Sequence, residues 1–483
     1  MLAPHSSTTP RARAWSVLVC ALAVSAAWAP AARAAWSAPV TVSAPHDAID
    51  HVQLVTGLSG EALLAWHHYD LVPPAREIFG APGTSEAIAA PGGAFGAERS
   101  LPASYASGPL EDLGQGRLAQ LILRRAGPST SAPEVALGSV AGVFAAPLRI
   151  HASVWGSSAS LAGNSRGELL LAWISQTRSG RRRVWASLRL AGRRFGAPQL
   201  LSTAAKAEQV TAWVGPPSHR TDVPGCSCDM AVAFPSKRGR LLVRIRPHGP
   251  RSWGPVEDVG PAAIGHDNEV ALYIGRNSRV TVAWHHQQLS EGGPLGPGYT
   301  HVAVQPPGAH RFLRPQTLER DPNASMPAEP LLVADNGRGL TIAFVARPGS
   351  PVLGLTPTVL KVAYSKGDRF GTPQRISPPG QQVSEPAAAE GPSGDIVIWS
   401  GGPNPPTSAL PPGPAIYAAI SGPFSNRLGA AHQISRNERP TRAEPASYPG
   451  AGWVVAWAGR PEYKTPMQPA RMVVRTSSCQ NSC

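Results

Sequence analysis

The amino-acid sequence predicts an all-β protein folded as one ring, a single β-propeller of eight four-stranded blades closed by its N- and C-terminal strands. Three observations carry this reading. An aromatic-led phrase returns eight times at intervals of 49 to 59 residues, and a period of that size is the signature of a repeat architecture. A recurring strand that ends in Ala-Trp is apolar at nearly every position. Gly and Pro contribute 49 and 52 of the 483 residues, so breakers interrupt the chain too often for long amphipathic helices.

The phrase begins at Trp36, Phe95, Phe144, Phe195, Trp253, Phe312, Phe370 and, less cleanly, Phe424. Copy 6 shows the four strands best: RPQTLER, EPLLVADNG, GLTIAFVA and VLKVAYS. The third phrase recurs as EALLAW at Trp66, ELLLAW at Trp173, VTVAW at Trp284, DIVIW at Trp399 and WVVAW at Trp457. A strand can be apolar on both faces only when both are covered, as in a sheet stacked between two others. Radially packed blades meet that condition and a solvent-facing sandwich does not. The segment APVTVS near Trp36 and the segment RMVVRTS near the C-terminus would complete one blade and lock the ring. Copy 2 has LAQLILRR in place of the Ala-Trp strand, which leaves seven blades as the alternative.

Residues 1–34 read as an export signal, 35–477 as the propeller and 478–483 as a Cys-containing tail. Arg11 and Arg13 precede an apolar run over residues 14–27, and Ala32-Arg33-Ala34 offers a small-x-small cleavage site before Ala35. The run is too short to span a membrane comfortably, and no later stretch approaches 18 apolar residues. Cys20 inside the signal follows Val19, which disfavours a lipoprotein anchor. The protein is therefore expected to be secreted, extracellular or in the cell envelope, with no transmembrane segment. Cleavage removes three Arg and no acid, so the net charge falls from +14 to +11. Such a charge favours polyanionic partners, although a general Ala-Gly-Pro-Arg bias would also produce it. Of the remaining cysteines, Cys226 with Cys228 and Cys479 with Cys483 are expected to pair locally, because the tail cannot cross the ring. Zinc is a weak match to that spacing.

The turns before the Ala-Trp strands, GNSRG at residues 163–167 and DNGRG at residues 335–339, give a cadence that resembles exported bacterial propellers grouped with the sialidase-like and WD40-like superfamilies. The resemblance covers almost the whole mature chain and implies the fold alone. Sialidases carry S-x-D-x-G-x-x-W boxes, and none is intact here; nor can their arginine triad be placed.

Three constellations stand out. Carboxylates recur just before the inner strands: Asp50, Glu111, Glu208, Glu269, Glu329, Glu385 and Glu444. In equivalent blades they would ring one channel mouth, either as a cation site, with calcium the one candidate cofactor, or as acceptors for backbone N–H groups of the blades. Histidines echo at half the ring: His46, Asp47, His67 and His68 in copy 1 against His266, Asp267, His285 and His286 in copy 5. Neighbouring residues on a strand point to opposite sides, so one His of each pair could join a metal or acid-base site; an ancestral four-blade duplication would give the same echo. Arg178, Arg181, Arg182 and Arg183 of copy 3 and Lys237, Arg238 and Arg240 of copy 4 fall in adjacent second-to-third connections and form a basic patch, for a polyanion or simply for solubility. The long connections 289–299, 346–357, 401–414 and 459–469 open on the same face, where recognition usually lives.

No nucleophile elbow, zincin helix, P-loop or dinucleotide motif is present. The expected function is a secreted, non-catalytic, monomeric binding propeller for an extracellular polymer, carbohydrate or another polyanion. A glycan-active hydrolase or lyase and a scaffold for an envelope protein are the alternatives. Few aromatics interleave with the basic residues, which disfavours nucleic acid.

Overall fold

The computed structural model describes residues 35–478 apart from stretches within the connections, the longer ones being 70–82, 102–109, 217–228, 263–269, 288–295, 322–331, 347–357, 404–414 and 460–468. Residues 1–34, Cys226, Cys228, Cys479, Cys483 and most of the long second-to-third connections lie outside the described residues.

The strands form eight antiparallel sheets, each pairing its strands in chain order. Blade 1 shows the plan, with Ala48–Thr56, Ala62–Tyr69, Gly83–Ala89 and Arg99–Leu101 each bonded to the next. The first strand of every blade touches the first strands of both neighbours, so these eight line the axis. Blade 8 takes Thr441–Tyr448, Gly452–Gly459 and Arg471–Ser478 from the end of the chain, and its outer position from the beginning. Val40 pairs with Val474, Thr41 with Val473, and Trp36 with Ser477. The ring is closed where the sequence placed the closure. Among the described residues no helix is long and apolar enough to cross a membrane.

Copy 2 forms a complete blade, from Leu110–Asp112 through Arg117–Gly127 and Thr130–Ser139 to Leu148–Arg149. Its turn is closed by Leu113 N–H on Arg117 O, as Gly57 N–H on Glu61 O closes that of blade 1. Counting from these turns, buried Ile122 occupies the rung of Trp66. An apolar residue of smaller volume keeps the strand buried on both faces, so the ring has eight blades. Blades 4 and 6 use Phe234 and Phe344 as their buried aromatics.

The core is divided in the same way. Each interface between successive blades holds its own apolar cluster, from Trp66 with Val454 and Met472 at blades 8 and 1 to Trp453 with Ile398 and Ile416 at blades 7 and 8. The smallest, Leu63 with Leu118 and Val140, joins blades 1 and 2.

Candidate functional site

In blades 1, 2, 3 and 5 the first strand runs into a tight turn closed by a backbone bond, as Gly275 N–H on Arg279 O in blade 5, and these turns lie at one end of the axis. In blade 3, Asn164 Oδ1 accepts the N–H groups of Arg166 and Glu168 at 3.1 and 3.2 Å. Gly167 has φ +83°, a left-handed conformation that favours glycine. In blade 5, Asn277 Oδ1 accepts Arg279 N–H at 3.1 Å. Short Asn side chains that replace backbone partners are what such turns require.

At that end lies a cavity of about 580 Å³ lined by residues of blades 2 to 7. Its wall carries Trp213 and Tyr273 from neighbouring inner strands, with ring centroids 5.4 Å apart. Trp213 is half-buried, and its Nε1 has no hydrogen-bond partner among the described residues. Asn164, Asn277, Arg279 and Asp112 add polar groups to the rim. The Arg279 guanidinium is held by Gly367 O at 3.0 Å and Asp368 Oδ1 at 3.0 Å in the next blade. This cavity opens at the end opposite the second-to-third connections. Its lining includes Gly163, Asn164, Ser165 and Gly339 of the turns quoted in the sequence, and of the candidate site residues only Glu111 adjoins it, through Asp112.

The four described carboxylates do not stand on one level. Asp50 is paired with His67, the residue after Trp66, whereas Glu444 is paired with Ala456, the residue before Trp457. Glu385 sits in a bulge between Ser384 and Ala387, with φ +48°. Glu111 faces Ala119, two residues past its turn, while His67 stands six past the turn of blade 1. Bulges in the first strands of blades 1, 7 and 8 each insert a residue, so equal spacing in the chain becomes unequal height. Glu208, Glu269 and Glu329 lie outside the described residues.

Glu111 accepts the N–H of Gly163 in the next blade at 3.1 Å. Burial, opposed by that bond and reinforced by Asp112, pushes its carboxyl up to about 8. Burial likewise raises Asp112, against a bond from Gly114 N–H. The folded state therefore holds the Glu111 proton between its ordinary 4.5 and about 8, and stability declines as pH rises through that window. At about 1.36 kcal/mol per unit the loss is on the order of 1–5 kcal/mol. Glu111→Gln should raise Tm by several degrees at alkaline pH and leave it nearly unchanged near pH 5; an equal shift at both would show that ionisation is not the cause.

The two histidine sets differ. In blade 1 the His46 ring stacks on His68 at 3.9 Å, and His46 Nε2 lies 3.0 Å from Glu98 Oε1. His67 points the other way and meets His51 edge-on at 4.8 Å. Asp47 is exposed. In blade 5, His286 stacks with Tyr299 and His301, each at 5.8 Å, and His301 packs on Trp284 at 5.3 Å. Burial, with His286 and His285 beside it, holds His301 down at about 4. His285 is buried on the opposite side of the strand. The third strand makes the difference: Gly83 and Ser85 of blade 1 stand where blade 5 has Tyr299 and His301. His266 and Asp267 lie outside the described residues.

Arg181, Arg183 and Arg238 are exposed and Arg182 is half-buried, in or beside the second-to-third connections of adjacent blades 3 and 4. Arg240 is exposed as well, and its Nε donates to both oxygens of Asp258 at 3.0 and 2.9 Å. Arg178 and Lys237 lie outside the described residues. Glu98, Tyr299, His301, Trp213 and Tyr273 were missed in the sequence. Glu98 was hidden inside the aromatic-led phrase FGAERSL, and the others inside strands whose apolar pattern explained them already.

No protein-family model matches the chain, and no curated protein matches it in sequence. Solved structures do. An ulvan-degrading polysaccharide lyase is 10% identical, with 76% of this chain and 91% of that one covered and a TM-score of 0.43. A sialidase from Streptococcus pneumoniae is 11% identical over 93% of this chain and 70% of its own, TM-score 0.35. The β-propeller domain of a protease from Pyrococcus furiosus is 9% identical over 80% and 99%, TM-score 0.40. The pairing of strands defines the ring, and by that pairing the protein is an eight-bladed β-propeller.

Proposed function

We propose that the protein is an exported binding propeller for an extracellular carbohydrate polymer, which it grips at the axial cavity. The observation that carries this is Trp213 beside Tyr273, with amide and guanidinium groups around them. A sugar presents an apolar face to an aromatic ring and hydroxyls to polar neighbours, and few polar groups suffice to orient it. A volume near 580 Å³ falls in the range of about 300–1,000 Å³ usual for ligand sites. Export with cleavage before Ala35 belongs to the same reading, and the exposed Arg181, Arg183 and Arg238 on the far face favour an acidic polymer.

Glycan cleavage is the second reading, favoured by Glu111, whose carboxyl is protonated at neutral pH as a general acid must be. Against it, Glu111 is bonded to Gly163 and only its neighbour Asp112 reaches the cavity. Trp213→Ala should weaken binding on a glycan array and by calorimetry about tenfold or more, ~1.4 kcal/mol or above, measured well below the variant's unfolding transition, because the indole also packs against the cores on both sides. Unchanged affinity would remove the cavity as the site. New reducing ends or unsaturated products from the bound glycan would favour the second reading.

A further inference from the structure

Among the described residues, one group of three metal-ligating side chains converges, and it lies at the seam where the ring closes. His46 belongs to the N-terminal segment that completes blade 8, where its backbone exchanges hydrogen bonds with Ala470 at 2.9 and 2.6 Å. His68 is the next-to-last residue of the second strand of blade 1, and Glu98 leads into the outer strand of the same blade. One ligand atom from each lies within 4.8 Å of the others. We propose that His46, His68 and Glu98 form a zinc site that ties the closing segment to blade 1.

The surroundings hold each ligand in place. Ala44 N–H donates to Glu98 Oε2 at 2.7 Å, which leaves Oε1 directed at His46; an outer hydrogen bond of this kind orients a ligating carboxylate. The ring of His68 lies across Gly83 of the paired third strand, where a Cβ would come within 2.4 Å of its Cε1 and Nε2. Blade 5 has Tyr299 at that position and its histidine stacks there instead. The His68 position thus depends on a glycine that its sequence twin lacks. His46 is buried, and His68 and Glu98 are half-buried.

Two imidazoles and one carboxylate suit zinc, with water as the fourth ligand, rather than calcium, which takes six to eight oxygens. Tetrahedral bonds of about 2.0–2.2 Å put ligand atoms roughly 3.4 Å apart. His46 and Glu98 are already at 3.0 Å; the His46 and His68 rings are stacked with an interplanar angle of 29°, so occupancy requires the His68 ring to turn out of the stack until the ion lies in the plane of both imidazoles. Because neutral imidazole is the ligand, binding weakens as the solution is acidified.

The test uses the full mature chain with Cys226, Cys228, Cys479 and Cys483 replaced by Ser, which removes competing thiolates. Elemental analysis after zinc loading and dialysis should find one zinc per chain, and Tm should rise by about 5 °C with zinc and return with chelator. Cobalt should give visible ligand-field bands without a thiolate charge-transfer band. His68→Ala and the milder Glu98→Gln should each abolish the bound metal and the Tm shift, while Gly83→Ala should weaken both. A four-serine chain that retains no zinc overturns the site, as does one whose zinc survives His68→Ala and Glu98→Gln together. A Glu98→Gln variant that is destabilised equally with and without zinc, in a chain that binds none, reduces the cluster to a His46–Glu98 ion pair and overturns it as well.

Discussion

Deleting residues 36–43 should destabilise the whole ring rather than fray one end. The segment donates Ser37 N–H to Thr476 O at 2.8 Å and Val42 N–H to Met472 O at 2.9 Å. The Ser43 hydroxyl accepts Met472 N–H at 2.8 Å. Val42 is 7% exposed, in the cluster shared by blades 8 and 1. Burial of that side chain is worth about 1.5–3 kcal/mol, and each lost backbone bond about 0.5–1.5 kcal/mol. The total is on the order of 5 kcal/mol, a large share of the roughly 5–15 kcal/mol by which a folded protein is stable. It also bares the edge of Arg471–Ser478, and an open edge invites pairing between chains. Thermal unfolding by circular dichroism, with light scattering alongside, should show a large drop in Tm and aggregation. A shift of a degree or two with an unchanged, cooperative transition would mean that closure contributes little.

Trp284→Ala should cost about 3–5 kcal/mol, the usual loss for a fully buried aromatic. Trp284 is 0% exposed and its Nε1 donates to Pro261 O of blade 4 at 2.6 Å. Gly260 lies under the ring, where a Cβ would meet Trp284 Cζ2 at 2.7 Å. Truncation therefore opens a cavity between blades 4 and 5 and leaves a carbonyl without its donor. It should also let water reach His301, which packs on the indole. The imidazole should then titrate closer to 6.5, its ordinary value. His301 is held neutral in the folded state, so it stabilises above that ordinary value and the contribution is lost as pH falls toward 4. The variant should lose part of this acid sensitivity along with its stability. Urea unfolding at neutral and acidic pH checks both. Trp284→Phe, which keeps most of the volume, should lose roughly half as much; equal losses would point to the hydrogen bond rather than packing.

The number of blades, the order of strands and the closure were legible in the sequence because they depend on local chemistry repeated at a fixed period. Strands apolar on both faces need cover on both sides, breakers set their length, and a half-copy at each end must be completed by the other. The placing of Arg181 and Arg238 on one face followed from that topology alone. What sequence spacing does not encode is height and facing within a blade. Three inner-strand bulges move Asp50, Glu385 and Glu444 off a common rung, although their spacing in the chain is nearly regular. The paired histidines of blades 1 and 5 match in sequence, yet the residue opposite each on the third strand, Gly83 in one and Tyr299 in the other, sends the rings to different partners. Trp213 and Tyr273 read as ordinary core residues until adjacent strands bring them to one wall. The sequence by itself determined the ring; the tertiary structure decided which side chains meet in it, because those meetings depend on cross-strand neighbours and bulges that lie far apart along the chain.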